Sequence, residues 1–278
     1  RVRFEQRGPG GGLMVGSKGM EADRGRAPDA YVEPARATPD APLRHCRLAG
    51  RDGVWHEAEA RIVGRSQDDA QAEAERLVAE EGLTEISPFD DPLVIAGQGT
   101  IGLEIMAARP DIEVLLVPLS GGGLAAGVAL AARAIKPSVR VVGISMDRGA
   151  AMHESLRAGR PVEVEEVASL ADSLGGGIGM RNRLSFPMCR ELLDEVVLVT
   201  EAEIYHAMQA LYYEDRIVAE GACVVGLAAV LAGKVSVTGP TATIITGRNL
   251  DMEMFTRVVT GQDVVLGDMV IEGKRYGT

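Results

Sequence analysis

The residues best suited to chemistry stand together in Ser120-Gly121-Gly122-Gly123-Leu124-Ala125-Ala126-Gly127. Glycines in such a run let successive backbone N–H groups converge on one anion, and a helix beginning there adds the positive end of its dipole. A phosphate cradle is the functional reading. The competing reading is a tight turn in which glycine only lets a helix approach a sheet closely. Gly121-x-Gly123-x-x-Ala126 also satisfies a loose dinucleotide fingerprint, and Asp147 lies far enough downstream to hold a ribose. Spacing alone does not choose between a nicotinamide cofactor and another phosphorylated ligand. The three cysteines, Cys46, Cys189 and Cys223, are odd in number and show no metal-ligand spacing, which fits idle thiols in a reducing cytoplasm.

A cradle needs a strand before it and a helix after it. Glu113 to Leu119 is a largely apolar run bounded by turn residues, as expected of a buried parallel strand. The helix after the glycines runs to Ile135, where Lys136-Pro137 stops it, and Arg140 to Ile144 is the next buried strand. Strand, turn, helix and strand make a βαβ unit. Upstream, Asp68 to Glu81 reads as a charged helix with Ala70, Ala74, Leu77 and Val78 on one face. Residues 85–96 carry a short strand and a turn, and helix signals run from Thr100 to Ala108, ending at Pro110. Downstream, Glu195 to Val199 is a strand, and Thr200-Glu201-Ala202-Glu203 is a capping box opening a helix to about Tyr213. A further apolar helix spans Ala222 to Leu231. The strand Ala242 to Ile245 ends at Thr246-Gly247-Arg248-Asn249. The alternation predicts an α/β fold with an open, mostly parallel sheet covered by helices on both faces.

The chain has 278 residues, of which 46% are apolar, enough for one large α/β domain or two modest ones. A net charge of −11 and a pI of about 5.0 argue against nucleic acid and anionic membrane as partners. No apolar run is long enough to span a bilayer, and no apolar core follows the basic N-terminal residues as in a secretory signal. Composition changes near residue 60. Residues 1–61 are rich in Arg, Gly, Pro and Ala, contain no isoleucine and show no helical or strand period. They read as an unpatterned segment, either a disordered extension or a stretch translated out of frame from GC-rich DNA.

Three passages carry a family resemblance. They are Pro88-Phe89-Asp90-Asp91-Pro92 with Ile95-Ala96-Gly97-Gln98-Gly99-Thr100-Ile101-Gly102-Leu103-Glu104, then Val117-Pro118-Leu119-Ser120-Gly121-Gly122-Gly123-Leu124, and finally Thr246-Gly247-Arg248-Asn249. In order and spacing they resemble the fold-type II pyridoxal-phosphate enzymes of the threonine dehydratase and serine racemase kind, over roughly residues 62–278. The resemblance implies a tryptophan-synthase-β-like fold and division into residues 1–61, a remnant of a small domain at 62–90, and a large cofactor-binding domain at 91–278. It implies pyridoxal 5'-phosphate as cofactor, with Ser120, Gly121, Gly122, Gly123 and Leu124 around the phosphate. Thr246 would bond the pyridine nitrogen, and Glu220 matches a family glutamate near the ring. A carboxylate in the N-cap region of the helix from Ala222 is the plainer account of Glu220. The implied chemistry is loss of the α-proton and of a β-hydroxyl from a small amino acid such as threonine or serine, giving a keto acid and ammonia. The relatives imply a cytoplasmic homodimer.

Two departures from the pattern stand out. The family's cation-binding glutamate and aspartate are replaced by Ser145 and Ala151, which lack anionic oxygens, so no metal is expected there even with Asp147 nearby. The Ser-Phe-Lys-x-Arg-Gly motif that carries the Schiff-base lysine is absent from the chain. Where the family's Ser-x-Gly-Asn-His-Gly loop should fall stands Ser17-Lys18-Gly19-Met20-Glu21-Ala22. Lys18 sits in an unpatterned stretch, and Lys136, Lys234 and Lys274 look like solvated helix ends and C-terminal surface. A catalytic lysine needs a fixed, partly desolvated position. No catalytic residue is therefore assigned, this chain is expected to be inactive, and an out-of-frame or mis-started N-terminus is the favoured account. Ser120, Ser145-Met146-Asp147-Arg148-Gly149 and the run Gly247 to Phe255 resemble the branch assigned to hydroxyectoine use. The alternatives are a non-catalytic remnant that binds phosphate or a partner chain, and a nicotinamide dehydrogenase.

Overall fold

The computed structural model describes residues 67–277 and, before them, the backbone of four strands; side chains are described at Val63 and from Asp69 onward. The strands are β1 (Met14–Gly16), β2 (Ala30–Pro34), β3 (Arg44–Ala49) and β4 (Trp55–Val63). They form a sheet in the order β1-β2-β4-β3, with β2 and β4 parallel and the outer pairs antiparallel. Helix α1 (Gln67–Glu81) packs on β2 and β4. Of its expected face, Ala70, Ala74 and Leu77 are buried and Val78 is half-buried. The four strands fall where the sequence shows no two-residue period. Strand pairing is made by the backbone and does not require side-chain alternation.

Helix α2 (Pro92–Ala108) begins eight residues before the expected start at Thr100, and no strand forms in 85–96. Asp91 caps it, its carboxylate accepting from the Leu93 and Val94 N–H groups at 2.8 and 3.0 Å, and Pro92 supplies a pre-set first residue. The β-branched Val94 and Ile95 are drawn into the helix because α2 lies flush on α3 (Gly123–Ile135). A Cβ at Gly127 would overlap the Ile95 carbonyl, and one at Gly102 the Val128 backbone.

The central sheet contains β5 (Val114–Pro118), β6 (Arg140–Met146), β7 (Glu195–Val199) and β8 (Thr241–Thr243), in the order β7-β6-β5-β8 with all three pairs parallel. Successive residues of β5 serve opposite cores. Leu115 and Val117, with Leu119 just beyond, pack with α2, α3, Met152 of α4 (Ala151–Ala158) and Phe186 of α5 (Ser185–Leu192). Val114 and Leu116 pack with α6 (Glu201–Asp215), α7 (Val225–Leu231) and α8 (Met252–Val259). Burial on both faces is why these strands read as unbroken apolar runs. A hairpin of β9 (Val264–Leu266) and β10 (Met269–Ile271) follows.

The expected capping box is present: the Thr200 hydroxyl accepts from the Glu203 N–H, and the Glu203 carboxylate accepts from the Thr200 N–H at 2.7 Å. The helix expected from Ala222 begins instead as a 3-10 turn, Gly221–Cys223, before α7. Strand β8 stops at Thr243, short of the expected Ile245.

Candidate cofactor site

The glycine turn leaves the carboxyl end of β5, and the Thr246 loop leaves the same end of its parallel neighbour β8, where Leu116 stands opposite Thr243. The chain after β5 enters α3 on one face of the sheet, while the chain after β8 enters α8 on the other. Such a switch in direction opens a crevice beyond the strand ends, the usual place for a ligand in a doubly wound sheet.

Gly122 caps α3 with φ +90°, a left-handed conformation that glycine adopts without penalty, and no side chain caps the helix. The N–H groups of the first turn have no partner within a helix, so those of Gly123, Leu124 and Ala125 are available to an outside acceptor. The glycines also serve packing. A Cβ at Gly121 or Gly123 would overlap Phe89, and one at Gly122 would overlap Met152 and Cys189. Both readings of the turn thus have a physical basis here: close packing fixes the glycines, and the uncapped helix end leaves N–H groups that an anion could meet.

The segment beside the turn is held by Asp90. Its carboxylate accepts from the N–H groups of Arg183, Leu184 and Ser185, each at 2.8 Å, occupying the start of α5. Ser185 in turn donates to the Gly121 carbonyl at 2.6 Å, and Asn182 donates to the Ser185 hydroxyl at 2.8 Å. Neither residue is marked in the sequence: Ser185 bonds Asp90 and Gly121, more than sixty residues away, and Asn182 reaches the turn only through Ser185.

Glu220 and the Thr246 loop, separate in sequence, are brought together. The Glu220 carboxylate accepts from the Asn249 N–H at 2.8 Å and from the Ser173 hydroxyl at 3.1 Å. Glu220 does stand at the N-cap of the turn that follows, but its side chain makes no capping bond to it. Gly247 has no room for a Cβ because the Glu220 carboxylate lies there. The Cys223 thiol is 2.8 Å from the Gly247 carbonyl and accepts from the Gly247 N–H at 3.2 Å. Burial raises the Cys223 thiol above its ordinary pKa, and the Thr246 side chain bonds it. Deeper in the other core, burial pushes the Cys189 thiol up to about 12.

Glu201, the first residue of α6, is 5% exposed. One oxygen accepts from the Leu170 N–H at 2.8 Å, and the other is buried with no partner. Desolvation raises its carboxyl above the usual range, against the opposing bonds from Ser169 and Leu170.

Lys136 lies at the far end of α3, about 20 Å from the glycine turn at 1.5 Å per residue, and donates to the Ile112 carbonyl at 2.7 Å. Lys234 donates to the Leu198 carbonyl and pairs with Glu203 at 2.7 Å. Neither approaches the cradle as an unengaged amine. Lys18 and the Ser17–Ala22 stretch lie outside the described residues, as does the side chain of Cys46. At the position compared with the family's cation site, Ser145 is buried and Ala151 opens α4. Among the described residues no group of three or more His, Cys, Asp or Glu side chains is arranged to hold a metal. No described helix is long and apolar enough to cross a membrane. A cleft of about 310 Å³ is lined by His153, Arg157, Cys189, Arg190 and Glu195, of which Cys189 lies against Gly122.

Fold and loops define a doubly wound α/β protein with a glycine turn and an uncapped helix start at its switch point. Comparison with known proteins makes the class specific: the family described as pyridoxal-phosphate dependent enzyme matches residues 32–247. The chain belongs to that family, whose cofactor is pyridoxal phosphate. It is 57% identical over 205 residues to a candidate threonine dehydratase of Sinorhizobium fredii, covering 73% of this chain and 62% of the relative. It is 42% identical over 203 residues to the L-threonine ammonia-lyase of Geobacter sulfurreducens, covering 73% and 50%. The structure of maize serine racemase superposes with a TM-score of 0.65 at 30% identity, over 72% of this chain and 62% of that one. The chain therefore spans between half and two thirds of the length of these relatives.

Proposed function

We propose that the crevice between the glycine turn and the Thr246 loop is the pyridoxal-phosphate site of an ammonia-lyase acting on a small β-hydroxy amino acid, threonine or serine, with hydroxyectoine breakdown as its setting. The observation that carries this reading is the emergence of both loops from adjacent parallel strands at the switch point. In it, the N–H groups of Gly121, Gly122, Gly123 and Leu124, beside Ser120, hold the phosphate. The Thr246 hydroxyl meets the ring nitrogen, leaving it largely unprotonated because a hydroxyl is a neutral partner. Glu220 stands between the loops near the ring. The uncapped start of α3 and the fixed Glu220 and Thr246 positions fit the group. When bound, the cofactor draws electrons from the substrate's α-carbon. The domain reading accompanies this one: 62–90 as a remnant of a small domain, 91–278 as the cofactor-binding domain, and 1–61 as an unpatterned segment, although the family match begins at residue 32.

The same reading makes these 278 residues inactive alone, because Lys136 and Lys234 are engaged away from the cradle and the family's lysine motif is absent from the sequence. A cytoplasmic homodimer belongs to it as well; the exposed Leu93 and Leu103 of α2 and Leu130 and Ile135 of α3 suit such an interface. The test is titration of the purified chain with pyridoxal phosphate, read by visible absorbance, followed by assay of keto-acid release from threonine and serine. Saturable binding without a lysine-linked absorption band and without keto acid is expected. Keto-acid release would overturn the inactivity, and tight nicotinamide binding without pyridoxal-phosphate binding would overturn the site.

A further inference from the structure

The Glu220 carboxylate is the hinge point between two loops that the sequence keeps far apart. One is the 3-10 turn Asp172–Leu174, which carries Ser173, and the other is Thr246–Asn249. Each carboxylate oxygen has its own donor: Asn249 N–H on one at 2.8 Å, Ser173 hydroxyl on the other at 3.1 Å. Two separate donors, one on each oxygen, fix the rotation of the carboxylate about its side-chain axis. The orientation reaches Thr246 through its neighbour. The Glu220 N–H donates to the Gly247 carbonyl at 3.3 Å, and the carboxylate fills the space where a Gly247 side chain would be.

We propose that Ser173 is a positioning residue for the cofactor ring: its hydroxyl holds the Glu220 carboxylate against the Thr246 loop and so sets where the Thr246 hydroxyl points. The inference rests on the cofactor reading above. It goes beyond holding the turn together, because the turn has other anchors. Glu201 accepts from the Leu170 N–H at 2.8 Å, Leu174 N–H donates to the Ala171 carbonyl at 2.8 Å, and Gly221 lies against the Leu170 carbonyl with no room for a Cβ. Removing one hydroxyl leaves all of these in place. What it removes is the second donor on Glu220, after which the carboxylate is free to swing about its single bond to Asn249.

The experiment uses the full chain and pyridoxamine 5'-phosphate, a probe that needs no lysine to bind. Its affinity is read by fluorescence, and the protonation of its ring by the pH dependence of its absorbance when bound. Ser173→Ala is expected to weaken binding about tenfold, the scale of one hydrogen bond to a charged group, and to move the pH midpoint of the bound probe. Ser173→Thr, which keeps a hydroxyl, is expected to restore both. In a Glu220→Gln background the Ser173→Ala change is expected to add little, since the two act as one unit. If Ser173→Ala does not fold, the Ser173→Thr variant carries the test through its pH midpoint, which must match that of the unmodified chain. An unaltered affinity and midpoint in Ser173→Ala, or an undiminished effect in the Glu220→Gln background, overturns the positioning role alone. Absence of probe binding by the unmodified chain overturns the cofactor reading and this inference with it.

Discussion

The two loops that face each other across the crevice are held by different forces. The glycine turn is held by packing: Phe89, Met152 and Cys189 press on its three glycines, and the neighbouring start of α5 is locked by Asp90. The Thr246 loop is largely exposed and held by hydrogen bonds with Glu220 and Cys223. A packed turn has one shape, because close-packed interiors do not yield gradually. A loop held by a few polar contacts re-aims when one contact is changed. The contrast suits a site in which a phosphate is gripped rigidly while the groups around a ring are tuned.

The contrast can be broken by substitution. Gly122→Ala should be the most damaging, combining a left-handed backbone with overlap on Met152 and Cys189; a loss of about 3 kcal/mol in urea unfolding is expected. A loss below about 1 kcal/mol would show the turn to be as compliant as the Thr246 loop. Asp90→Ala should cost about 2 kcal/mol, because three N–H groups at the start of α5 lose a charged acceptor. Asp90→Asn should recover part of it, since an amide oxygen still accepts. On the other side of the crevice, Cys223→Ala should cost only about 1 kcal/mol in unfolding, while weakening pyridoxamine phosphate binding more than Asp90→Ala does. If the two variants lose stability and binding in the same proportion, the distinction between the loops fails.

The smallest effect concerns pH. Burial raises the folded-state pKa of Glu201 above that of the unfolded chain. The unfolded state therefore releases this proton first as pH rises, and folding stability falls from the unfolded pKa upward until the folded group has also ionised. Below the unfolded pKa both states are protonated and the contribution vanishes. Glu201→Gln should therefore raise Tm relative to the unmodified chain by about 2 °C at pH 8 and leave it unchanged near pH 4. A melting-temperature difference independent of pH would mean that the Ser169 and Leu170 donors offset the desolvation, leaving the carboxyl with the same pKa in both states. Because Glu201 anchors the loop that carries Ser173, the measurement also reports on the side of the crevice held by hydrogen bonds.

Much of this architecture could be read from the residues. The runs Glu113–Leu119 and Arg140–Ile144 announced buried parallel strands because both of their faces are covered, leaving no polar alternation to obscure them. Thr200 and Glu203 announced a helix start because the capping box is local, closed within four residues. The glycine run and Thr246-Gly247-Arg248-Asn249 marked the two loops for the same reason: turn chemistry is set by the residues in the turn. Where local signals misled, a distant partner had intervened. Val94 and Ile95 joined a helix because the glycines of α2 and α3 let the two helices touch. The strand before Thr246 ended early at Thr243, where its pairing with Leu116 ends.

The sequence by itself determined which residues form each loop and that the loops lie at strand ends, because periodicity and turn residues act over a few positions. Only the tertiary structure decided that Glu220 turns away from its own helix toward Ser173 and Asn249, that Asp90 serves α5 across more than ninety residues, and that Glu201 is buried with one oxygen unpartnered. Each of these depends on the direction of a flexible polar side chain. That direction is set by whichever donor the fold brings within about 3 Å, and distances of that kind are fixed by packing rather than by spacing along the chain.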